Sequence, residues 1–382
     1  MMPLPGWIAG LAMVVIGGCL LSHPACAATP AAPAHDDAIA WRHAANDADV
    51  EAAFDAARAA HKPVFVYWGA VWCPPCNQVK STIFNREDFI ARSRAFVPVY
   101  IDGDSPGAQK LGARFHVSGY PTMLLFRPDG QEVMRLPGEV DARRYAEVLD
   151  LGIDAARPVK ALLADALAGR RLAPGDWRLL AFYSYDTDEH QLLPAKQVPA
   201  TLARLADACP TDLPATRIRL RLKALAAAGE THTRLGGART RAALLSLLGD
   251  PAAARQQADL IVNWGPEIVR AASSGEPVPR ARLVVATDLA LKRLQADASL
   301  SRADRMQALA SRVELARLDR PDGPAPAMPA TLLAEAREAS ARADREISDG
   351  YERQAVITAA AYMLERAGLS RDSDALLEGN LA

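Results

Sequence analysis

Apolar residues follow two different rhythms along this chain, and the change between them divides it. In the first part, short unbroken apolar runs alternate with helical spacings. Val50, Phe54 and Ala57 share one face of a helix predicted over Asp47–Ala60, with Asn46 or Asp47 as its N-cap. Val64–Trp68 is β-branched or aromatic throughout, the pattern of a strand buried on both faces. Gln78–Phe84 continues a helix whose first positions are Pro74 and Pro75, where missing backbone donors cost little. Phe96–Ile101 reads as a second buried strand and Pro106–Phe115 as a helix. Met123–Phe126 is a third strand, joined through Arg127-Pro128-Asp129-Gly130, which is turn chemistry, to a fourth at Glu132–Leu136. A closing helix is expected from Asp141 to Leu151, giving the order α, β, α, β, α, β, β, α.

Beyond Asp154 the composition shifts to Ala, Leu and Arg with few β-branched runs, and the expectation is all-α. Leu283, Ala286, Ala290 and Leu294 recur at helical spacing, and Glu338 with Arg342 is a favourable i,i+4 pair. Further helices are predicted around Val198–Asp207, Ala238–Leu248 and Arg353–Arg366, with Pro- or Gly-dense breaks at Ser273–Pro279 and Arg320–Pro329. Tyr351–Leu377 looks like one helical hairpin of tetratricopeptide type, but no fixed period recurs, so the region reads as an irregular helical array. The arginines at 217–221 and 234–241 read as solvated helix faces.

At 382 residues the chain is long enough for two domains, each with its own core. The 44 basic residues nearly balance the 45 acidic ones, leaving no electrostatic case for nucleic acid or an anionic membrane surface as partner. Trp7–Leu21 is apolar and uncharged, and Ala25-Cys26-Ala27 suits signal peptidase, so residues 1–27 read as a secretory signal and 28–40 as an Ala/Pro-rich tether. The apolar stretch is shorter than the roughly 20 residues that span a bilayer. Two membrane-bound alternatives stand beside soluble export to the periplasm or beyond: an uncleaved anchor, or lipidation at Cys19, since Ile16-Gly17-Gly18-Cys19 is similar to a bacterial lipobox.

Cleavage after Ala27 would leave Cys73, Cys76 and Cys209. Cys209 reads as a small buried apolar residue at a helix end. Cys73-Pro74-Pro75-Cys76 stands at a strand-to-helix junction, where two thiols can close a disulfide across one turn and the helix start favours a thiolate on the first. Half of a zinc site and an inert disulfide are the alternatives; heme attachment would need a His where Asn77 stands. His61 and His116 have no ligand spacing with the cysteines, and no metal site is expected. Neither Pro74 nor Pro75 can offer an N–H to the Cys73 sulfur, leaving Cys76 and Asn77 as the nearest donors and predicting modest thiolate stabilisation.

The element order, with Trp72-Cys73-x-x-Cys76 after the first core strand and Gly119-Tyr120-Pro121-Thr122 before the third, resembles the thioredoxin fold. The lead-in through His61-Lys62-Pro63 is similar to exported thioredoxin-like domains of bacterial thiol:disulfide interchange proteins. The resemblance implies an α/β thioredoxin-like domain over 41–153, a central mixed sheet flanked by helices, followed by the all-α region 154–382. It implies a thiol-disulfide oxidoreductase with Cys73 as exposed nucleophile and Cys76 as resolving thiol, needing no cofactor beyond their own disulfide. It further implies a cis peptide before Pro121, substrate contacts from Trp72, Tyr120 and Pro121, protein thiols and disulfides as partners, and an upstream membrane reductant. Tyr67 departs from the pattern, standing where the family often has a buried Asp; a phenol with a pKa of roughly 10 is a poor base. A partner-binding helical array with a secondary redox domain, and a copper-handling protein using both thiols as soft ligands, are the competing functions.

Overall fold

The computed structural model describes residues 38–117, 119–136, 138, 142–189, 191–233, 235–273, 277–318 and 328–381. The leader at 1–27 with Cys19, the tether up to residue 37 and most of the 320–329 break lie outside the described residues.

Strand β1 (Arg42–His43) precedes helix α1 (Asp47–Ala60), which Asn46 caps by accepting from the Asp49 N–H at 3.1 Å and which ends at His61 in the left-handed region, φ 52°. There follow β2 (Val64–Gly69), α2 (Pro74–Val79), which runs into a π-helical turn at Lys80–Phe84, and α3 (Glu87–Ser93). The series closes with β3 (Val97–Asp102), α4 (Ala108–Phe115), β4 (Thr122–Phe126), β5 (Glu132–Leu136) and α5 (Ala142–Ile153). Two elements were not anticipated. β1 is only two residues long, and α3 buries only Phe89 and Ser93 with no side-chain cap, so neither leaves a periodic signal.

The sheet order is β1-β3-β2-β4-β5, with β1 and β2 parallel to β3, and β4 antiparallel to both β2 and β5. β2 is therefore bonded on both edges, and every residue in it is buried. Its side chains alternate. Val64, Val66 and Trp68 join Val50, Phe54 and Leu111 in one cluster, whereas Phe65 and Tyr67 join Cys76, Met123 and Leu149 in another.

Twelve helices follow among the described residues: α6 (Val159–Leu167), α7 (Pro174–Phe182), α8 (Val198–Ala208), α9 (Pro214–Glu230), α10 (Ala238–Gly249), α11 (Pro251–Gln256), α12 (Ala258–Ser273), α13 (Pro277–Ala296), α14 (Arg302–Leu315), α15 (Ala330–Glu346), α16 (Gly350–Ala367) and α17 (Ser370–Leu381). Proline opens α7, α9 and α11, where its missing N–H is harmless. Gly368 at φ 81° ends α16 and turns the chain into α17, so the expected hairpin is present. Arg219 corrects the reading of its run as a solvated face. It is 1% exposed, donates to both Asp259 oxygens at 3.0 and 2.5 Å and lies 3.9 Å over the Phe182 ring, because α9 packs against α7, α8 and α12.

The core does not break at residue 153. The cluster containing Phe65 and Cys76 continues through Val159, Leu162, Trp177 and Leu180 to Leu202 and Leu220, because α5–α7 cover the second face of the sheet. Arg135 of β5, fully buried, reinforces this join. It donates to Glu132 at 2.9 Å, to the carbonyls of Phe115 and His116 at 2.6 and 2.9 Å, and to the Thr187 carbonyl at 2.6 Å, while its own carbonyl accepts from Ser184 N–H at 3.1 Å. Removing the guanidinium would strand buried acceptors from both parts of the chain. Arg135→Ala should lower stability by roughly 3–5 kcal/mol, read as a fall in the denaturant midpoint of the full chain; a loss within ordinary surface-mutation range would refute this role.

Candidate active site

β2 ends at Gly69, and Ala70-Val71-Trp72 carries the chain to Cys73, which caps α2 with extended backbone angles, φ −72° and ψ 116°. Cys73 and Cys76 are joined by a disulfide, and the Cys73 sulfur accepts the Cys76 N–H at 3.2 Å. The Asn77 N–H goes instead to the Cys73 carbonyl at 3.0 Å, so among the described residues a single backbone donor serves the sulfur. Pro74 and Pro75 fill the first turn and supply none. Cys73 is only 3% exposed and Cys76 0%, which corrects the expectation of an exposed attacker: in the joined state the Cys73 sulfur is folded onto Cys76 and packs in the same cluster as Ala70 and Val79.

The β2–β4 register sets Trp68 opposite Thr122, which puts Pro121 at the sheet end where the dithiol loop begins. The Tyr120–Pro121 peptide is cis. Tyr120 stacks on Trp68 and meets Trp72 edge to face, with centroids 6.1 and 5.9 Å apart. A Cβ on Gly103 would lie 2.2 Å from the Tyr120 ring, so only glycine lets that ring settle there. Trp72 is largely exposed; its indole N–H donates to Asp104 Oδ2 at 2.5 Å, and the Tyr120 hydroxyl donates to Asp104 Oδ1 at 3.0 Å. Asp104 thus ties together two of the three residues expected to meet substrate.

Residues 50–153 match a family profile described as a thioredoxin-like domain. This part of the chain is a thioredoxin-like domain. Thiol:disulfide interchange protein DsbD 1 of Pseudomonas aeruginosa is 33% identical over 113 residues, covering 28% of this chain and 19% of that protein. A thioredoxin of Mycobacterium tuberculosis is 35% identical over 78 residues, 20% of this chain and 63% of that protein. Among solved structures, a disulphide-isomerase from Bacteroides thetaiotaomicron, described as putative in its own title, is 28% identical over 31% of this chain and 96% of its own, with a TM-score of 0.26. The chain spans about a fifth of the length of the DsbD proteins it matches.

The thioredoxin-like domain departs from its pattern at Tyr67. The phenol is buried between Trp41 and Tyr100, and its hydroxyl has no protein hydrogen-bond partner among the described residues. Burial first, then Tyr100 and Tyr351, push its pKa far above the ordinary tyrosine range, so it holds its proton at any working pH. Residues distant in sequence also reach the dithiol loop. Gln354 of α16 donates to the Trp72 carbonyl at 3.0 Å and accepts from the Asn77 amide, and Gln78 donates to Asp304 of α14 at 3.2 Å. Sequence reading named the Asn77 N–H as a donor to the sulfur but missed its side chain, and missed Asp104 and Gln354; a lone carboxylate and two amides carry no motif, and Gln354 is brought near only by folding. Cys209 lies buried at the end of α8 with its thiol pushed up to about 11, chiefly by burial, and His61 and His116 serve as left-handed helix caps.

Tyr67→Phe keeps the ring and removes the unpartnered hydroxyl, so at neutral pH stability should rise by about 1 kcal/mol. Tyrosines of the unfolded chain ionise near pH ~10 while Tyr67 stays protonated when folded. The unfolded state then binds fewer protons, and stability falls as pH rises above that value. Tyr100, pushed up to about 12 mainly by burial, contributes in the same window. Unfolding midpoints measured between pH 8 and 12 should show a shallower alkaline decline in Tyr67→Phe; an unchanged slope would contradict this.

Proposed function

We propose that this chain is an exported thiol:disulfide oxidoreductase acting on protein substrates through Cys73 and Cys76. The observation that carries the reading is the Cys73–Cys76 disulfide at the start of α2, at the sheet end shared with Pro121, within a thioredoxin-like domain. Starting from the dithiol, the Cys73 thiolate attacks one sulfur of a substrate disulfide, that bond breaks, and the departing sulfur leaves as a thiolate that takes up a proton. Cys76 then gives up its proton and attacks the Cys73 sulfur, releasing the second substrate thiol. Two electrons have passed to the substrate, and the protein holds the disulfide. Run backwards, the same steps oxidise a substrate dithiol.

Because the Tyr67 phenol keeps its proton, the Cys76 proton leaves to water or to a carboxylate. Trp72, Tyr120 and Pro121 would border the substrate, with Asp104 orienting the first two. Export rests on the leader-like pattern of residues 1–27, with lipidation at Cys19 as the membrane-bound variant. Among the described residues no helix is long and apolar enough to cross a membrane. The relatives named thiol:disulfide interchange protein support exchange with protein thiols and disulfides, to which the proposal adds an upstream membrane reductant.

Cys73→Ser should abolish reduction of a protein disulfide such as that of insulin, whereas Cys76→Ser should accumulate a substrate adduct on Cys73, seen by mass spectrometry. Turnover surviving in Cys73→Ser would sink the proposal. With one N–H on the Cys73 sulfur, the potential should lie nearer to about −270 mV than to the roughly −120 mV of a strong oxidant; equilibration with glutathione measures it.

A further inference from the structure

A single side chain of the helical array grips both ends of the dithiol motif. Gln354 opens the second turn of α16; its Nε2 donates to the carbonyl of Trp72, the residue immediately before Cys73, at 3.0 Å. Its Oε1 accepts from Nδ2 of Asn77, the residue immediately after Cys76. The same Asn77 nitrogen donates to the Val71 carbonyl at 3.2 Å, closing a ring of contacts around the loop. Asn77 is 1% exposed, so its amide has little access to replacement partners in solvent.

The gripping helix is itself held. Lys80 lies 5.3 Å over the Tyr351 ring, and Glu352 pairs with Arg302 of α14 at 3.0 Å. Val356, Ile357 and Met363 pack with Met306, Leu309 and Val313 along the α14–α16 seam. Gln354 therefore reaches the loop from a rigid mount, the condition under which an outer contact can fix the geometry of a reacting group.

We propose that Gln354 is a positioning residue for the dithiol, acting through Trp72 and Asn77 to hold the two sulfurs at bonding separation when the disulfide is open. The proposal rests on the redox reading above. In the exchange with glutathione, the two protein thiols form one disulfide while the glutathione disulfide breaks and takes up their two electrons and two protons. The equilibrium constant for that step rises with the effective concentration of one sulfur at the other. Releasing the flanks lowers it.

The test uses the full chain and its glutathione equilibrium constant, with folding checked by circular dichroism. Gln354→Leu should lower the constant by ~3- to 10-fold, on the scale of coupling between contacting residues. Asn77→Ala should act in the same direction, and the double variant should lose no more than the larger single loss. Gln354→Ala replaces Gln354→Leu if the latter fails to fold. A purely structural Gln354 would lower the unfolding midpoint and leave the constant within twofold; that result, or losses that simply multiply in the double variant, overturns the proposal. If the unmodified chain shows no equilibrium with glutathione, the redox reading itself fails and the proposal falls with it.

Discussion

The double burial of β2 is the constraint on which the rest depends. A strand bonded to β3 on one edge and β4 on the other has no freedom to slip, since a shift of one residue would exchange its two faces. Val66 and Trp68 belong to one core and Phe65 and Tyr67 to the other, and both cores are filled. The end of β2 is thereby fixed, and with it the loop that carries Cys73 at the sheet end where Pro121 lies. Redox chemistry at the loop needs sulfurs that can part and meet again while their supports stay still. The sheet gives that support.

The helical region is joined to this framework more closely than a tethered module would be. The apolar cluster behind the dithiol extends into α6–α9, and Arg135 satisfies carbonyls from both sides of the join. At the dithiol loop the contacts become polar: Gln354 to Trp72 and Asn77, Gln78 to Asp304. Apolar burial supplies the attachment behind the dithiol, and directional hydrogen bonds at the loop supply the orientation. A helical array fixed in this way bears on the geometry of the dithiol as well as on any partner it meets.

Tyr67 shows how one replacement alters the demands on a site. A buried Asp in its place could carry charge toward the resolving thiol; a buried phenol with no hydrogen-bond partner among the described residues cannot, and burial holds it neutral. The ring fills volume beside Tyr100 and Phe84, and in the proposed exchange proton movement falls to water or a carboxylate.

Sequence alone was enough wherever local chemistry decides. Val64–Trp68 carried the pattern of a strand buried on both faces, Pro74 and Pro75 that of a helix opening without donors, and Tyr351–Leu377 that of a closing hairpin. The placement of the cysteines at a strand-to-helix junction was legible for the same reason. Tertiary structure alone decided that Arg219 and Arg135 would be buried, that Cys73 would be nearly covered in its joined state, and that Gln354 would reach a loop some 280 positions earlier. Periodicity reports which face of an element is apolar, but not which other element will cover it. Burial of a charge or an amide depends on partners that arrive from elsewhere in the chain, and those partners are chosen by packing.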